Sequence, residues 1–361
     1  MKFIHCADLH LNSSLNTHLN REQARERNEE LTASFVNMIA YAKDNGIQAV
    51  LISGDLFDTA VIPSTLRNTL THIIRNSSDI LFFYLRGNHD DNDSFVSSME
   101  KIPDNLKCFS DQEWKYYYLT LNNGKRVCVT GMETEHILYD SLSLDQDDLN
   151  IVMLHGELRN DAIDLRKLEN RNIDYLALGH IHSFRKDTLK PRGIWCYPGC
   201  MEGRGFDETG EHGFVVLDIN EDTMKCSLEF VPSAKRHLYE VDVDVSECMS
   251  TIEMKEKAEE AVRDKVKPCD LLRIILTGRV DALCEKNTVS LTRMLENEFY
   301  YVETVDKTEL VVDYSQYAKD ASLKGEFVRL VENDTTLSKE MKGEIIRCGI
   351  MTLNGEKYET D

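Results

Sequence analysis

Long apolar stretches are absent from this sequence of 361 residues. No run reaches the roughly 18 apolar residues that a membrane-spanning helix requires. The amino-terminal stretch, MKFIHCADLH, is too short in its apolar part for a secretory signal peptide and is interrupted by His5 and Asp8. These absences predict a cytoplasmic protein that makes no use of a membrane.

Paired cysteines are also lacking. The chain has 10 cysteines but no CxxC motif, and its closest pair, Cys196 and Cys200, is separated by three residues. Scattered cysteines in a long chain without an export signal predict reduced thiols that mostly serve as small core residues. The pattern argues against a disulfide framework or a zinc knuckle.

Positive charge is scarce relative to negative charge. The sequence has 42 lysines and arginines against 63 aspartates and glutamates, which gives a net charge of -21. This balance argues against broad electrostatic binding of nucleic acid. It still allows a local positive groove, and it allows carboxylates that hold metal ions.

The first part of the chain alternates apolar strands with amphipathic helices. Strands are predicted at 2–6, 47–53 and 80–85, and helices at 21–45 and 63–76. Further strand patterns continue to residue 231. The alternation predicts an α/β fold in three segments: a large domain at 1–234, a small α/β domain at 235–313 and a helical segment at 314–361.

The small domain has its own alternating pattern of strands and helices. Its last strand is predicted to run from 301 to 311 without a break. The complete predicted order is strand 238–245, helix 251–265, strand 271–277, helix 289–298 and strand 301–311.

Residues that can bind metals recur where predicted strands of the large domain end. Five strand ends carry them: DLH (8–10), GDLFD (54–58), GNHD (87–90), HGE (155–157) and GHIH (179–182). Because ligands bind at the carboxyl ends of strands in open α/β sheets, the five motifs are expected to converge on one crevice. A single histidine at a strand end is more often structural, but five motifs together are hard to explain by packing alone.

The residue types in these motifs indicate the kind of metal. Carboxylates, imidazoles and an amide form a mixed oxygen and nitrogen set that suits Mn, Fe or Zn better than Ca or Cu. The set is too large for one ion. Two ions ~3.5–4 Å apart, bridged by a shared carboxylate, are the arrangement of two-metal phosphoesterases.

The ordered motifs DLH, GDLFD, GNHD, LHGE and GHIH resemble those of the calcineurin-like metallophosphoesterase superfamily. FIHCADLHLNSSL, GDLFDTA and YPGCMEGRGFDETGEHGF (197–214) are similar to the SbcD-type DNA repair exonucleases, especially their YhaO-like branch. The resemblance covers about residues 1–240. It implies a four-layer α/β/β/α sandwich, followed by a smaller carboxy-terminal α/β cap domain and a helical tail.

The same resemblance implies a role for each motif residue. One metal would be held by Asp8, His10, Asp55 and His182. The other would be held by Asp55, Asn88, His155 and His180, with Asp55 as the bridge. His89 would face the scissile phosphate as a catalytic residue and help to protonate the leaving oxygen, oriented by Asp90.

Two further residues are candidates for substrate binding. Asp58 completes the GDLFD motif, at a position where some nucleases of the family carry a histidine. Arg204 lies in a Gly-Arg-Gly loop. It either contacts a phosphate group or is an exposed turn residue.

The activity that the resemblance implies is hydrolysis of DNA phosphodiesters by attack of a metal-bound hydroxide. The chain would be an exonuclease in DNA repair, with endonuclease activity left open. It would use two divalent ions, Mn²⁺ in the first place and Fe²⁺, Zn²⁺ or Mg²⁺ as alternatives. Its partners would be DNA, an SbcC-like coiled-coil ATPase and a second copy of itself in a homodimer.

Two other classes of function stay open at this point. One is a metallophosphodiesterase that acts on a small nucleotide or another non-DNA phosphoester. The other is a scaffold for an ATPase partner with an inactive site. The complete set of ligand types, together with His89, argues against the scaffold.

Overall fold

The computed structural model describes residues 1–15, 19–59, 61–90, 95–133, 136–159, 162–281, 284–311 and 320–353. Contacts between residues divide the chain into two compact units, Met1–His237 and Leu238–Asp361. The predicted three-part division, with boundaries after residues 234 and 313, stays a prediction. Its second boundary lies outside the described residues.

The described residues form strands in both units. They are β1 (Lys2–Cys6), β2 (Ala49–Ser53), β3 (Leu81–Leu85), β4 (Leu106–Cys108), β5 (Lys115–Thr120), β6 (Arg126–Gly131), β7 (Leu149–His155), β8 (Tyr175–Gly179), β9 (Arg185–Leu189), β10 (Gly193–Tyr197), β11 (Gly213–Asn220), β12 (Lys225–Pro232), β13 (Leu238–Asp244), β14 (Leu271–Thr277), β15 (Arg279–Asp281), β16 (Tyr301–Asp306) and β17 (Glu309–Val311).

The helices follow the predicted pattern closely. They are α1 (Arg21–Asp44), α2 (Ser64–Arg75), α3 (Leu165–Leu168), α4 (Thr251–Val262), α5 (Thr288–Leu295), α6 (Leu323–Glu332) and α7 (Lys339–Leu353). The first begins at a capping box, because the Asn20 side chain accepts hydrogen bonds from the Glu22 and Gln23 amides while the Gln23 side chain accepts one from the Asn20 amide.

Two six-stranded sheets form the first unit. The first sheet has the order β12-β11-β1-β2-β3-β4, and β1, β2, β3 and β4 run parallel. The second has the order β5-β6-β7-β8-β10-β9, and β6, β7, β8 and β10 run parallel. Strands β1, β2, β3, β7 and β8 are those that the metal-binding motifs follow.

The central strands of each sheet are apolar on both faces. In β1, Phe3 packs between the sheets, whereas Ile4 packs outward among the core residues of α1 and α2. In β7, Ile151 lies between the sheets and Val152 faces the outer side. This two-sided burial explains the continuous apolar runs in the sequence.

The layers therefore stack in the predicted order. Helices α1 and α2 cover the first sheet, and the second sheet packs against it. The outer face of the second sheet is covered by α3 and by loop residues that include Trp114, Leu142 and Ile163. The predicted α/β/β/α sandwich is confirmed, with an outer layer on the second sheet that is mostly loop.

The second unit has a parallel sheet of order β13-β14-β16 and a separate pair, β15 with β17. The prediction of one strand from 301 to 311 is wrong, because β16 and β17 belong to different sheets. A turn separates them, in which the Thr308 amide donates to the Asp306 carboxylate. Helices α6 and α7 pack through Val328, Val331, Ile346 and Ile350.

Sequence patterns missed strands at the sheet edges. In β9 (RKDTL) four of the five side chains are exposed, and β4 is only three residues long. Edge strands bury one face at most, so they lack the apolar run that marks a central strand. Among the described residues no helix is both long and apolar enough to cross a bilayer.

The buried His5 makes the stability of the first unit depend on pH. It is fully buried, and its Nδ1 lies 2.8 Å from the Tyr175 hydroxyl. Burial lowers the pKa of His5 from its usual 6.5 to about 3. Below pH ~6.5 His5 is protonated in the unfolded chain but stays neutral in the folded chain. The folded state therefore has its full stability above that pH and loses stability as the pH falls toward 3.

We expect this histidine to cost roughly 2–3 kcal/mol of unfolding free energy between about pH 7 and pH 4.5. In urea unfolding experiments, the unfolding free energy of His5→Gln should fall over the same pH range by roughly 2–3 kcal/mol less than that of the wild type. His72→Gln, which changes an exposed histidine on α2, should behave as the wild type does. Equal acid sensitivity of the wild type and His5→Gln would contradict the assignment.

Candidate metal centre

Five strand ends meet at one edge of the two sheets. Asp8 and His10 follow β1, Asp55 follows β2 and Asn88 follows β3. From the second sheet, His155 ends β7, and His180 and His182 follow β8. The contacts described below join side chains from both sheets, as the sequence predicted for a single crevice.

The backbone at this edge is held in an uncommon conformation. Asp8, His10, Asp55 and His180 have positive φ angles of 53°, 44°, 51° and 98°. A positive φ is unfavourable for residues other than glycine and costs of order 1–3 kcal/mol where the surroundings enforce it. Its recurrence at four of the predicted ligands is typical of a functional site.

Two glycines make room for the centre. A Cβ atom at Gly179 would lie 1.9 Å from the Ser53 carbonyl oxygen, and one at Gly54 would lie 2.1 Å from His155 Nδ1. Gly54 also has a φ of +92°. Only glycine fits at these positions, because any side chain would overlap the atoms that hold His155.

A first group of ligand atoms is formed by Asp8, His10 and His182. One ligand atom from each lies within 4.8 Å of the others. The His180 amide donates to both oxygens of the buried Asp8 carboxylate, at 2.9 and 3.0 Å. This orients the carboxylate, so that the turn carrying His180 and His182 also fixes Asp8.

A second group is formed by Asp8, Asp55 and His155, again within 4.8 Å. His155 Nε2 lies 3.3 Å from Asp55 Oδ2 and 3.0 Å from Asn88 Oδ1. His180 Nδ1 lies 3.2 Å from the same Asn88 oxygen. Asp55 also lies 3.8 Å from His10 Nε2, so its carboxylate lies between the two groups.

Outer partners determine which nitrogen of each imidazole faces the centre. His155 Nδ1 donates to the Ser53 carbonyl oxygen at 2.9 Å. His10 Nδ1 lies 3.0 Å from Asp58, and His182 Nδ1 lies 2.5 Å from Glu208. Metal-binding histidines commonly donate their second N–H in this way, which leaves Nε2 as the ligand atom.

The inward nitrogens fit a cation. The Nε2 atoms of His10 and His182 are 3.2 Å apart. Nδ1 of each ring lies beside a carboxylate, so the two Nε2 atoms face each other at a separation that a shared proton or a cation would bridge. His155 Nε2 faces two oxygen atoms in the same way, so the donor set suits divalent ions.

The titration of the centre reflects its charge density. Burial would raise the pKa of Asp55, but the hydrogen bond and charge of His155 outweigh burial and lower it to about 2. Burial would lower the pKa of His155, but Asp55 raises it to about 9. Burial raises the pKa of Asp8 to about 6. The centre thus holds protons that divalent ions would displace.

Asp58 and Arg204 lie behind the histidines. Asp58 contacts His10, and Arg204 donates to Asp58 at 2.9 Å and to Glu208 at 3.0 Å. Arg204 is largely buried, with 18% of its side chain exposed, so it is not an exposed turn residue. The substrate-binding role predicted for the pair stays untested, and these contacts favour a role in orienting His10 and His182.

His89 and Asp90 differ from the predicted arrangement. The Asp90 carboxylate accepts hydrogen bonds from the amides of Leu56, Phe57 and Gly87. Among the described contacts it makes none with the His89 ring, so the structure does not support orientation of His89 by Asp90. The ring instead approaches the Asp58 carbonyl oxygen, with Nδ1 at 3.2 Å.

Sequence reasoning missed Glu208. Its carboxylate binds the Arg204 amide at 2.7 Å and the His182 ring, and it is buried. Burial would raise the pKa of Glu208, but the hydrogen bond from His182 and the positive charge of Arg204 hold this pKa well below its usual value. The residue lies within YPGCMEGRGFDETGEHGF, a stretch already noted for its resemblance, but it follows no strand and forms no motif of its own.

We expect Glu208→Gln to weaken Mn²⁺ binding by roughly 10–100-fold, because the neutral amide holds the His182 ring less firmly. Calorimetric titration of the metal-stripped chain with Mn²⁺ measures this directly. Glu211→Gln removes an exposed carboxylate from the same loop and should bind Mn²⁺ as the wild type does. Unchanged affinity in Glu208→Gln would show that the contact is unimportant for the metal.

Comparison with known sequences agrees with this geometry. The sequence profile of the calcineurin-like phosphoesterases matches residues 1–184. The chain belongs to the calcineurin-like phosphoesterase family. As a member, it is a metallophosphoesterase, a metal-dependent hydrolase of phosphate esters. The matched segment includes every predicted metal ligand but ends before Arg204 and Glu208.

Relatives within this family come from bacteria and archaea. An uncharacterized metallophosphoesterase of Bacillus subtilis, YhaO, is 27% identical over 77% of this chain and 72% of its own length. A protein of Sulfolobus acidocaldarius named DNA double-strand break repair protein Mre11 is 24% identical over 87% of both chains. The Aeropyrum pernix protein of the same name is 22% identical over 68% of this chain and 64% of its own length.

Proposed function

We propose that this phosphoesterase hydrolyses DNA phosphodiesters in DNA repair with two divalent ions. Exonuclease action is the main activity we propose, with endonuclease action as a possible second mode to be measured. The observation that carries the proposal is the imidazole pair, His10 and His182, whose Nε2 atoms lie 3.2 Å apart beside the buried Asp8 and Asp55 carboxylates. Similarity to proteins named for double-strand break repair supports DNA as the substrate.

Each ligand residue has a proposed place at one of the two ions. Asp8, His10, Asp55 and His182 would hold the first ion, and Asp55, Asn88, His155 and His180 the second. Such ions lower the pKa of a water molecule and neutralise charge on phosphate oxygens. We propose Mn²⁺ as the native metal because the donor set is mixed, with Fe²⁺, Zn²⁺ and Mg²⁺ as alternatives.

The chain itself supplies a proton donor at the edge of the centre. His89 is exposed, and its ring centroid is 5.0 Å from that of His10. If Nδ1 donates to the Asp58 carbonyl oxygen, Nε2 is the atom left to carry a proton toward a leaving oxygen. This arrangement supports the proposed role as a general acid without any contribution from Asp90.

The proposed partners are DNA, an SbcC-like coiled-coil ATPase and a second copy of the chain. A net charge of -21 makes strong DNA binding by the isolated chain unfavourable. We therefore expect weak, salt-sensitive DNA binding that the ATPase partner would strengthen. The predicted cytoplasmic location belongs to the same proposal.

A small nucleotide is the second candidate substrate. A cleft of about 550 Å³ adjoins the centre, and its lining includes Asn88, His155 and His180 together with the apolar Met132 and Ile163. Clefts of this size bind small ligands. The apolar residues of the lining offer a contact for a single base, which keeps a nucleotide phosphodiester as an alternative substrate.

The test is Mn²⁺-dependent hydrolysis of end-labelled linear DNA, measured beside a chromogenic diester such as bis(4-nitrophenyl) phosphate. We expect both to be hydrolysed, with mononucleotides released from the DNA. If the chain hydrolyses the diester but not DNA, even with the ATPase partner added, its substrate is a small phosphoester and the DNA proposal is wrong. Loss of both activities with a chelator would confirm the metal requirement.

A further inference from the structure

A second cleft continues from the first on the outer side of the second sheet. It has a volume of about 460 Å³ and shares Glu157, Arg159 and Ile163 with the cleft beside the metal centre. Ile181, which lies between the two histidines of GHIH, also lines it. The two clefts are therefore neighbours that share part of their lining.

The second cleft combines cations with aromatic rings. Its lining includes Arg159, Arg166, Arg185, Trp195 and Tyr197. Arg159 pairs with Glu157 at 3.1 Å and Arg166 pairs with Asp164 at 3.0 Å, so Arg185 gives the lining its excess positive charge in a chain of net charge -21. This is the local positive groove that the overall charge left open.

Strand pairing explains how the rings and the cation come together. Arg185 on β9 lies directly opposite Tyr197 on β10, and Trp195 is two residues earlier on the same strand. Alternation along a strand puts these three side chains on one face of the sheet. The Trp195 and Tyr197 ring centroids are 5.9 Å apart, and Tyr197 is held by a hydrogen bond from its hydroxyl to the Gly156 carbonyl oxygen.

We propose that this second cleft binds the single-stranded part of a nucleic acid whose phosphodiester lies at the metal centre. Trp195 would stack on a base and Arg185 would contact the backbone, as in proteins that bind single strands without sequence preference. Each cleft has the size of a small-ligand site, which fits an unpaired base better than a duplex. The inference rests on the proposed function and narrows it to a polymeric substrate with unpaired bases.

Binding is measured first, in a chelator, so that catalysis plays no part. The chain has two tryptophans, Trp114 and Trp195, and Trp114 is buried. Titration with oligothymidylate should quench tryptophan fluorescence in the wild type and leave it unchanged in Trp195→Ala. Affinity should fall about tenfold in Trp195→Ala and Arg185→Ala, and Trp195→Phe should retain most of it.

Lys186→Ala is the matched control for charge. Lys186 is adjacent to Arg185 on β9 but lies opposite Cys196, on the other face of the sheet, and it does not line the cleft. Its removal should leave oligothymidylate affinity within a factor of about two. Oligothymidylate affinity should depend less steeply on salt concentration in Arg185→Ala, by the amount expected for the loss of about one phosphate contact. In Lys186→Ala this salt dependence should stay unchanged.

Activity then separates this inference from the proposed function. Trp195→Ala should lower kcat/KM for a long oligothymidylate about tenfold and leave the chromogenic diester unaffected. Unchanged oligothymidylate binding in Trp195→Ala and Arg185→Ala would overturn the inference, as would tighter binding of duplex than of single strands. If the wild type binds oligothymidylate through Trp195 but cleaves only the diester, the cleft assignment stands and the DNA hydrolase proposal fails.

Discussion

Replacement of Asp55 by asparagine is expected to abolish metal-dependent hydrolysis, with a loss of at least ~100-fold. Asp55 lies between the two groups of ligand atoms, 3.3 Å from His155 and 3.8 Å from His10. Asparagine keeps the shape and the oxygen that accepts the His89 amide hydrogen bond, but it removes the negative charge. Two divalent ions would then share fewer anionic ligands, and at least one should bind far more weakly.

Measurements of Mn²⁺ binding and of folding show whether that loss comes from the metal centre or from unfolding. Calorimetric titration with Mn²⁺ should show fewer sites or weaker sites in Asp55→Asn, while circular dichroism shows a folded chain. Asp218→Asn, which changes an exposed carboxylate on β11, should match the wild type in both. Wild-type Mn²⁺ binding by Asp55→Asn would show that this carboxylate does not bridge the ions.

The second large effect is expected from His89→Ala. Removing a general acid lowers turnover by about 10²–10⁴-fold, whereas Mn²⁺ binding should stay within a few-fold of the wild type. The loss should be large for a dinucleotide, whose leaving group is an alkoxide, and small for a 4-nitrophenyl ester, whose leaving group is already a stable anion. Kinetics with both substrates at saturating Mn²⁺ measure the difference.

His72→Ala provides the control, since it removes an exposed histidine of α2 that pairs with Asn76. It should leave both rates unchanged. If His89→Ala lowers turnover of both substrates equally, His89 is not a general acid and instead stabilises charge at the phosphate. A loss of Mn²⁺ binding would instead make His89 a ligand, an alternative that its position near His10 and Asp58 makes worth measuring.

Much of the fold was predictable because buried parallel strands leave a strong signal. The runs ending at Ser53, Leu85 and Leu154 are apolar on both faces, and each is followed by a polar motif at the end of its strand. The edge strands β4 and β9 were missed because β4 is short and β9 is exposed, which removes that signal. The break between β16 and β17 was missed because it is only two residues long, Lys307 and Thr308, and has strand-like sequence on both sides.

The contacts behind the histidines could not be predicted from the sequence. Glu208 lies 26 positions from His182, and Arg204 lies 146 positions from Asp58, so no local spacing relates them. Asp90 illustrates the reverse error, since its place beside His89 in GNHD suggested a contact with that ring. Its carboxylate instead fixes the turns at Leu56 and Gly87.

The sequence by itself determined the class of fold and the kinds of metal ligand, because strand periodicity and residue chemistry are local properties. It also indicated that strand ends would bring those ligands together. Only the tertiary structure decided which nitrogen of His10, His155 and His182 faces inward, since that depends on Asp58, the Ser53 carbonyl oxygen and Glu208. The cleft at Trp195 has the same origin: Arg185 and Tyr197 become neighbours only when β9 pairs with β10.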